Sequence, residues 1–243
     1  MIIVAGGDSH IWGSELQDSP HGGPNGYSTN TFPGLLAKSQ NWQYRCSAYP
    51  GLSNSGIARA VMNSCETIDN AFVFVCWSFV NRYEFRFTYD TMPITSPWMN
   101  IHSAHTKFAA SVKNKEQLAT FVDTYTRHVG ISEYNEIYVT LKEILFLQQY
   151  LKQKNIPYMF TTVDNKYYQH ENYYRNKDAT LETLYNNIDW SSWYLFDNNN
   201  GFYQWALENN YTVGSHGHPL EDAHKDAALL VKEKFNELVT KNI

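Results

Sequence analysis

The sequence predicts an α/β protein, a three-layer α/β/α sandwich around a central parallel sheet, and three observations carry that expectation. Ile2 to Gly6 and Ala71 to Trp77 are short, uninterrupted apolar runs, the pattern of strands buried on both faces. Between them, Asn54 to Ile68 repeats apolar residues at helical spacing. A long helical pattern then precedes a third apolar run, so strands and helices alternate. Right-handed crossovers place such helices on both faces of a parallel sheet.

The elements follow in chain order. Ile2 to Gly6 is the first strand, closed by glycines, and Gln43 to Ala48 is a second, less regular one. In the helix from Asn54, residues Ile57, Ala58, Val61, Met62 and Cys65 share a face, and Ser53 or Asn54 caps it. Ala71 to Trp77 is the strongest strand. Residues 82–130 read as an insertion, a cap or an interface for a second copy: Pro93 and Pro97 break the pattern, and Gln117 to Val129 is the helix candidate. Ser132 to Lys154 is a long helix that stops at Asn155, and Ile156 to Val163 is the next strand. Asp164 to Asn200 is polar and rich in Asn and Tyr, with no element assigned. Leu220 to Val239 closes the chain as an amphipathic helix. The expected organisation is one domain over 1–243 carrying that insertion.

Bulk properties remove several classes of partner. With 43% apolar and 18% charged residues the chain reads as globular. A net charge of −5 without any Lys/Arg cluster argues against nucleic acid and against a membrane surface. The first residues lack a basic leader and a long apolar core, which predicts folding in a cytoplasm. Cys46, Cys65 and Cys76 are odd in number and lack C-x-x-C spacing, so they read as reduced, mostly buried thiols. The 16% aromatic content fits either an aromatic core or a carbohydrate-facing groove. Trp12, Trp77, Trp190 and Trp193 are assigned mostly to core.

In parallel α/β sheets ligands bind beyond the carboxyl ends of the strands. Ser9, Gly51, the residues after Trp77, Asp164 and the segment before the last helix would all lie there. Gly7-Asp8-Ser9-His10 follows the first strand, where a strand-to-helix turn exposes a hydroxyl, while the bland reading makes Ser9 a helix cap. Gly7 is expected for a tight bend, Asp8 as a brace, and His10 is given no role. A nucleophilic serine needs a base from elsewhere. His218, followed by Pro219 as a first-turn residue of the last helix, is the candidate. A metal site from His216, His218 and His224 is the rival; no carboxylate or cysteine completes an ordinary ligand pattern, so no metal and no cofactor are expected.

Gly7-Asp8-Ser9, Gly51, an asparagine after the third strand and His218-Pro219 together resemble the SGNH, or GDSL, hydrolase family over nearly the whole chain. The resemblance implies a flavodoxin-like sheet and a serine esterase or deacylase acting on a small-molecule or carbohydrate ester. Ser9 would attack the acyl carbonyl and His218 would take its proton. The Ser9 and Gly51 amides plus Asn81, or Ser78 as a substitute, would hold the oxyanion. Two blocks depart from the family pattern. Trp77-Ser78-Phe79-Val80-Asn81 replaces Gly-x-Asn-Asp, and Ser215 stands where the acid that orients the histidine is usual. A backbone carbonyl, Asp164, Asp197 or nothing would then serve. Arg82 and Glu84 are read as a surface ion pair. The wording "GDSHIWGSEL" and "WSFVNRYEF" is similar to SGNH-like proteins encoded by bacteriophages. The competing reading is a non-catalytic glycan- or protein-binding molecule that keeps the fold.

Overall fold

The computed structural model describes residues 1–19, 26–86, 98–102, 115–130, 132–166 and 178–241. Pro93 and Pro97 lie outside them. Among the described residues the strands are β1 (Ile2–Gly6), β2 (Gln43–Cys46), β3 (Ala71–Trp77), β4 (Arg82–Arg86), β5 (Trp98–His102) and β6 (Tyr158–Thr162). Four of them form a parallel sheet in the order β2-β1-β3-β6. This is the doubly wound order expected of a flavodoxin-like sheet. Tyr194 N–H donates to the Phe160 carbonyl at 2.9 Å, so the chain near Trp193 runs parallel beside β6 without becoming a full strand.

Two cores on opposite faces show why the strands read as continuous apolar runs. Val4, Val73, Val75, Trp77 and Phe160 pack beneath α3 (Asn54–Cys65), α5 (Glu133–Gln153) and α6 (Ala179–Asn186). Ile3, Ala5, Phe72, Phe74 and Met159 pack against α2 (Phe32–Ser39), α7 (Phe202–Glu208) and α8 (Glu221–Lys241), with Ile11 of α1 (Ser9–Trp12). Period-2 alternation sends neighbouring residues of one strand into different cores, and each large apolar side chain so buried contributes roughly 1.5–3 kcal/mol. Trp77 and Trp193 are core residues, while Trp12 and Trp190 are half-buried. Cys65 and Cys76 are buried and Cys46 is half-buried, all with free thiols.

Several boundaries shift for local reasons. β2 ends at Cys46 rather than Ala48, yet Ser47 and Tyr49 still donate to the Ala5 and Gly7 carbonyls, at 2.8 and 3.3 Å. The chain therefore follows β1 to the carboxyl edge, where Pro50-Gly51 turns with Gly51 at φ +80°. Helix α3 stops at Cys65 because Thr67 Oγ1 takes the Ser64 carbonyl and Asn70 reverses the chain at φ +58°. Pro219 is not in the last helix, which starts at Glu221; it pairs with Val213 in a single antiparallel bridge. The polar stretch holds α6, α7 begins just beyond it at Phe202, and neither of these helices nor α2 is predicted from the sequence. Asp178 caps α6 by accepting the Thr180 and Leu181 N–H groups, and Pro33 sits in the first turn of α2.

Among the described residues of 82–130 are the antiparallel pair β4–β5, α4 (Lys115–Tyr125) and one π turn, Thr126–Gly130. Tyr83, Met99, Ile101, Leu118 and Val122 form a small core of their own. The pair docks on α3: Arg59 binds Glu84 at 3.0 and 2.5 Å, and Ser53 N–H donates to Asn100 Oδ1 at 2.9 Å.

Candidate active site

The β1–α1 turn is built around spacing rather than backbone freedom. Neither Gly6 nor Gly7 has a positive φ. A Cβ on Gly7 would lie 2.5 Å from Ile11 Cγ1, and one on Gly6 would run into Val61 of α3. The expectation that Gly7 serves a tight bend is corrected accordingly: both glycines let helices sit close on the strand end.

Asp8 follows and is fully buried. Its Oδ1 accepts the His10 backbone N–H at 3.0 Å and pairs with His10 Nδ1 at 2.9 Å. Its Oδ2 accepts from the Ser78 hydroxyl and from Arg82, both at 2.7 Å. Burial alone would raise this carboxyl, but His10, Arg82 and Ser78 outweigh it and hold it far below the usual carboxylate range. An ionised carboxylate only accepts, so His10 Nδ1 carries a proton. The Asp8 carbonyl takes the Ile11 and Trp12 N–H groups, at 3.2 and 2.9 Å. In this first turn the Ser9 N–H is the one that Asp8 leaves over.

His10 therefore belongs to the site, contrary to expectation. Its ring stands edge-on to His218, centroids 5.2 Å apart, with Tyr203 at 5.6 Å and Phe79 at 6.2 Å. Its Nε2 is buried without a partner among the described residues.

The loop before α8 brings His218 to the same place, and the acid that Ser215 lacks comes from Glu15. Glu15 Oε2 meets His218 Nδ1 at 2.8 Å. The same carboxylate accepts the Ser215 hydroxyl at 2.9 Å and the His216 N–H at 3.0 Å. Burial would raise its carboxyl; the hydrogen bonds from His218, His216 and Ser215 prevail and hold it well below the usual range. Glu15 has φ +71°, and a Cβ on Gly214 would come within 2.6 Å of both of its oxygens. A left-handed turn and a missing side chain thus create the seat. Neither Asp164 nor Asp197 occupies it: Asp164 accepts the Lys166 N–H at 2.8 Å, and Asp197 opens an exposed turn. Nothing in the local sequence around Glu15 announces this role. Ser215 itself supports the acid rather than replacing it.

The third block also differs from expectation. Ser78 is fully buried, and its hydroxyl is committed to Asp8, which removes it as a substitute oxyanion donor. Asn54, buried at the start of α3, accepts the Ser78 N–H at 2.8 Å and donates to its carbonyl at 3.3 Å. Asn81 is exposed on the turn before β4. Arg82 and Glu84 do not pair with each other; Arg82 turns inward to Asp8 and Glu84 binds Arg59. His216 and His218 both meet the Glu15 carboxylate, His216 Nδ1 at 3.3 Å from Oε1, and His224 does not join them. His224 is buried, stacks on Phe32 and accepts the Phe32 N–H at 3.3 Å, while His216 is exposed.

No family model matches the chain, and no curated protein matches it. Among solved structures, a member of the lipolytic protein G-D-S-L family from Veillonella parvula is similar at 16% identity and TM-score 0.45, covering 98% of this chain and 100% of that one. The esterase EstA from Pseudoalteromonas, inhibited by monoethylphosphonate, is similar at 10% identity and TM-score 0.46, covering 99% and 97%. An acetyl xylan esterase from Butyrivibrio proteoclasticus shares 12% identity at TM-score 0.46, covering 98% of this chain and 64% of its own. Similarity at this level carries no weight for the chemistry, which rests on the residues above.

Proposed function

We propose that the protein is a serine ester hydrolase in which Ser9 is the nucleophile, His218 the general base and Glu15 the acid that orients it. The supporting observation is the 2.8 Å pairing of Glu15 with His218 Nδ1. With Nδ1–H fixed on the carboxylate, Nε2 is the free nitrogen that can accept the Ser9 proton. Ser9 Oγ attacks the acyl carbonyl, and the developing imidazolium is compensated by Glu15. The proton passes to the leaving alcohol, and the resulting acyl-enzyme is cleaved by water through the same base. The Ser9 and Gly51 N–H groups are the assigned oxyanion donors, with Asn81 as the side-chain candidate. Such donors are often the largest electrostatic contribution in acyl transfer, each worth roughly 3–4 kcal/mol.

An O-acylated carbohydrate is the inferred substrate class. Trp12 follows Ser9 by three residues on α1, its ring meets Tyr49 at 5.2 Å, and Tyr49 is 60% exposed on the loop that carries Gly51. Exposed ring faces of this kind pack against sugars. Residues 1–243 are read as one domain, with 82–130 as an insertion beside the site.

The test is hydrolysis of p-nitrophenyl acetate by wild type, Ser9→Ala and His218→Ala, with fluorophosphonate labelling of Ser9. Activity in the wild type that both variants lose supports the reading. Equal rates in all three, with no adduct on Ser9, would leave the binding-protein alternative in its place.

A further inference from the structure

One guanidinium joins three of the loops that meet at the carboxyl edge. Arg82 Nη1 lies 2.7 Å from Asp8 Oδ2, 2.7 Å from the Ser78 hydroxyl and 3.5 Å from the Leu52 carbonyl. These residues belong to the turns that carry Ser9, the end of β3, and Gly51. The Arg82 side chain is only 16% exposed, and its guanidinium also lies over the Phe79 ring at 5.0 Å. It reaches inward from the first residue of β4, and β4–β5 is itself anchored to α3 through Glu84–Arg59 and Asn100–Ser53. The second anchor holds the backbone two residues after Gly51.

We infer that Arg82 is a positioning residue that sets the spacing between the Ser9 and Gly51 N–H groups, so that the insertion serves as a clamp on the site. The inference rests on the esterase reading for its kinetic consequence and on geometry alone for the positioning. Asp8 caps the helix that begins at Ser9, so a displaced carboxylate takes the Ser9 amide with it. Leu52 adjoins Gly51 directly. Of the four contacts on Asp8 among the described residues, that of Arg82 alone comes from β4 rather than from the parallel sheet's own turns. Without the guanidinium, Asp8 loses the charge partner that ties it to the second loop, and the two N–H groups are free to move apart. A misplacement of about 1 Å costs on the order of 10²-fold in rate.

The experiment compares Arg82→Met, Arg82→Lys and Arg82→Ala with wild type. Expected are a fall in kcat of roughly 10²-fold in Arg82→Met with KM within about threefold, partial recovery in Arg82→Lys, and recovery of Arg82→Ala by guanidinium chloride at low millimolar concentration. Amide ¹H–¹⁵N spectra provide the second readout. The Ser9 and Gly51 resonances should move together in Arg82→Met and Arg82→Lys, while those of Leu229 and Leu230 on the exposed side of α8 stay fixed. If Arg82→Met does not fold, Arg82→Lys bears the test. If wild type neither hydrolyses esters nor labels at Ser9, the esterase reading falls and the amide shifts alone decide the positioning. Unmoved Ser9 and Gly51 amides in a folded Arg82 variant overturn the inference, as do unchanged kinetics in an active enzyme.

Discussion

Glu15 and His218, separated by 203 positions in the chain, meet at 2.8 Å through Oε2 and Nδ1. The carboxylate that meets the imidazole comes from the loop after the helix of Ser9 rather than from the histidine's own loop. Glu15→Gln is therefore expected to lower kcat/KM by up to about 10⁴-fold, the scale seen when an orienting acid becomes an amide. Asp164→Asn and Asp197→Asn should leave it within about twofold, as expected of substitutions away from the machinery. Steady-state hydrolysis of p-nitrophenyl acetate distinguishes them, with circular dichroism verifying the fold.

Gly214→Ala tests the same seat from the other side. Its new methyl would lie 2.5 to 2.6 Å from the Glu15 carboxyl group, so the flexible acid rather than the backbone gives way. The expected result is a loss of kcat near that of Glu15→Gln with a melting temperature close to wild type. Retained activity would mean that Glu15 finds another path to His218.

His224 sets an acid limit on stability. Burial, reinforced by the nearby His10 and His218, lowers its pKa from 6.5 to about 3, against a smaller opposing effect from Asp18. The folded state thus keeps His224 neutral where the unfolded chain takes up a proton. Stability from this group is complete above pH 6.5 and is lost as pH falls toward 3. The slope approaches about 1.4 kcal/mol per pH unit within that window. Urea unfolding between pH 6.5 and 5, above the range where carboxylates add their own loss, should show stability falling more steeply with acid in wild type than in His224→Gln, by a difference that grows toward this slope.

Gly201→Ala is expected to destabilise the fold without touching the chemistry directly. The added Cβ would collide with the Val163 carbonyl group and come within 2.6 Å of the Asp164 nitrogen, all backbone and unable to rotate away. A loss of roughly 1–3 kcal/mol in a urea melt follows from overpacking of this kind.

The layers of the fold were legible because burial leaves a periodic record. Ile2 to Gly6 and Ala71 to Trp77 are fixed by unbroken apolar runs, and α5 and α8 by apolar residues at helical spacing, with Ser132 capping the first of these helices. Helices α6 and α7 were obscured because Asn and Tyr surround them, and a half-buried tyrosine carries no clear sign of which way it faces. Ser9, Gly51 and His218 were visible as short motifs at strand and helix ends. The partners of Asp8 and His218 were not. Glu15, Ser78 and Arg82 reach them through directed hydrogen bonds between loops, and such bonds depend on where a loop turns, which here hangs on the φ of Glu15 and on the bare Cα of Gly214. The sequence by itself determined the layers, their order and the identity of the nucleophile and base candidates. Only the tertiary structure decided which acid serves which imidazole, because polar pairing across about two hundred residues has no period for a sequence to record.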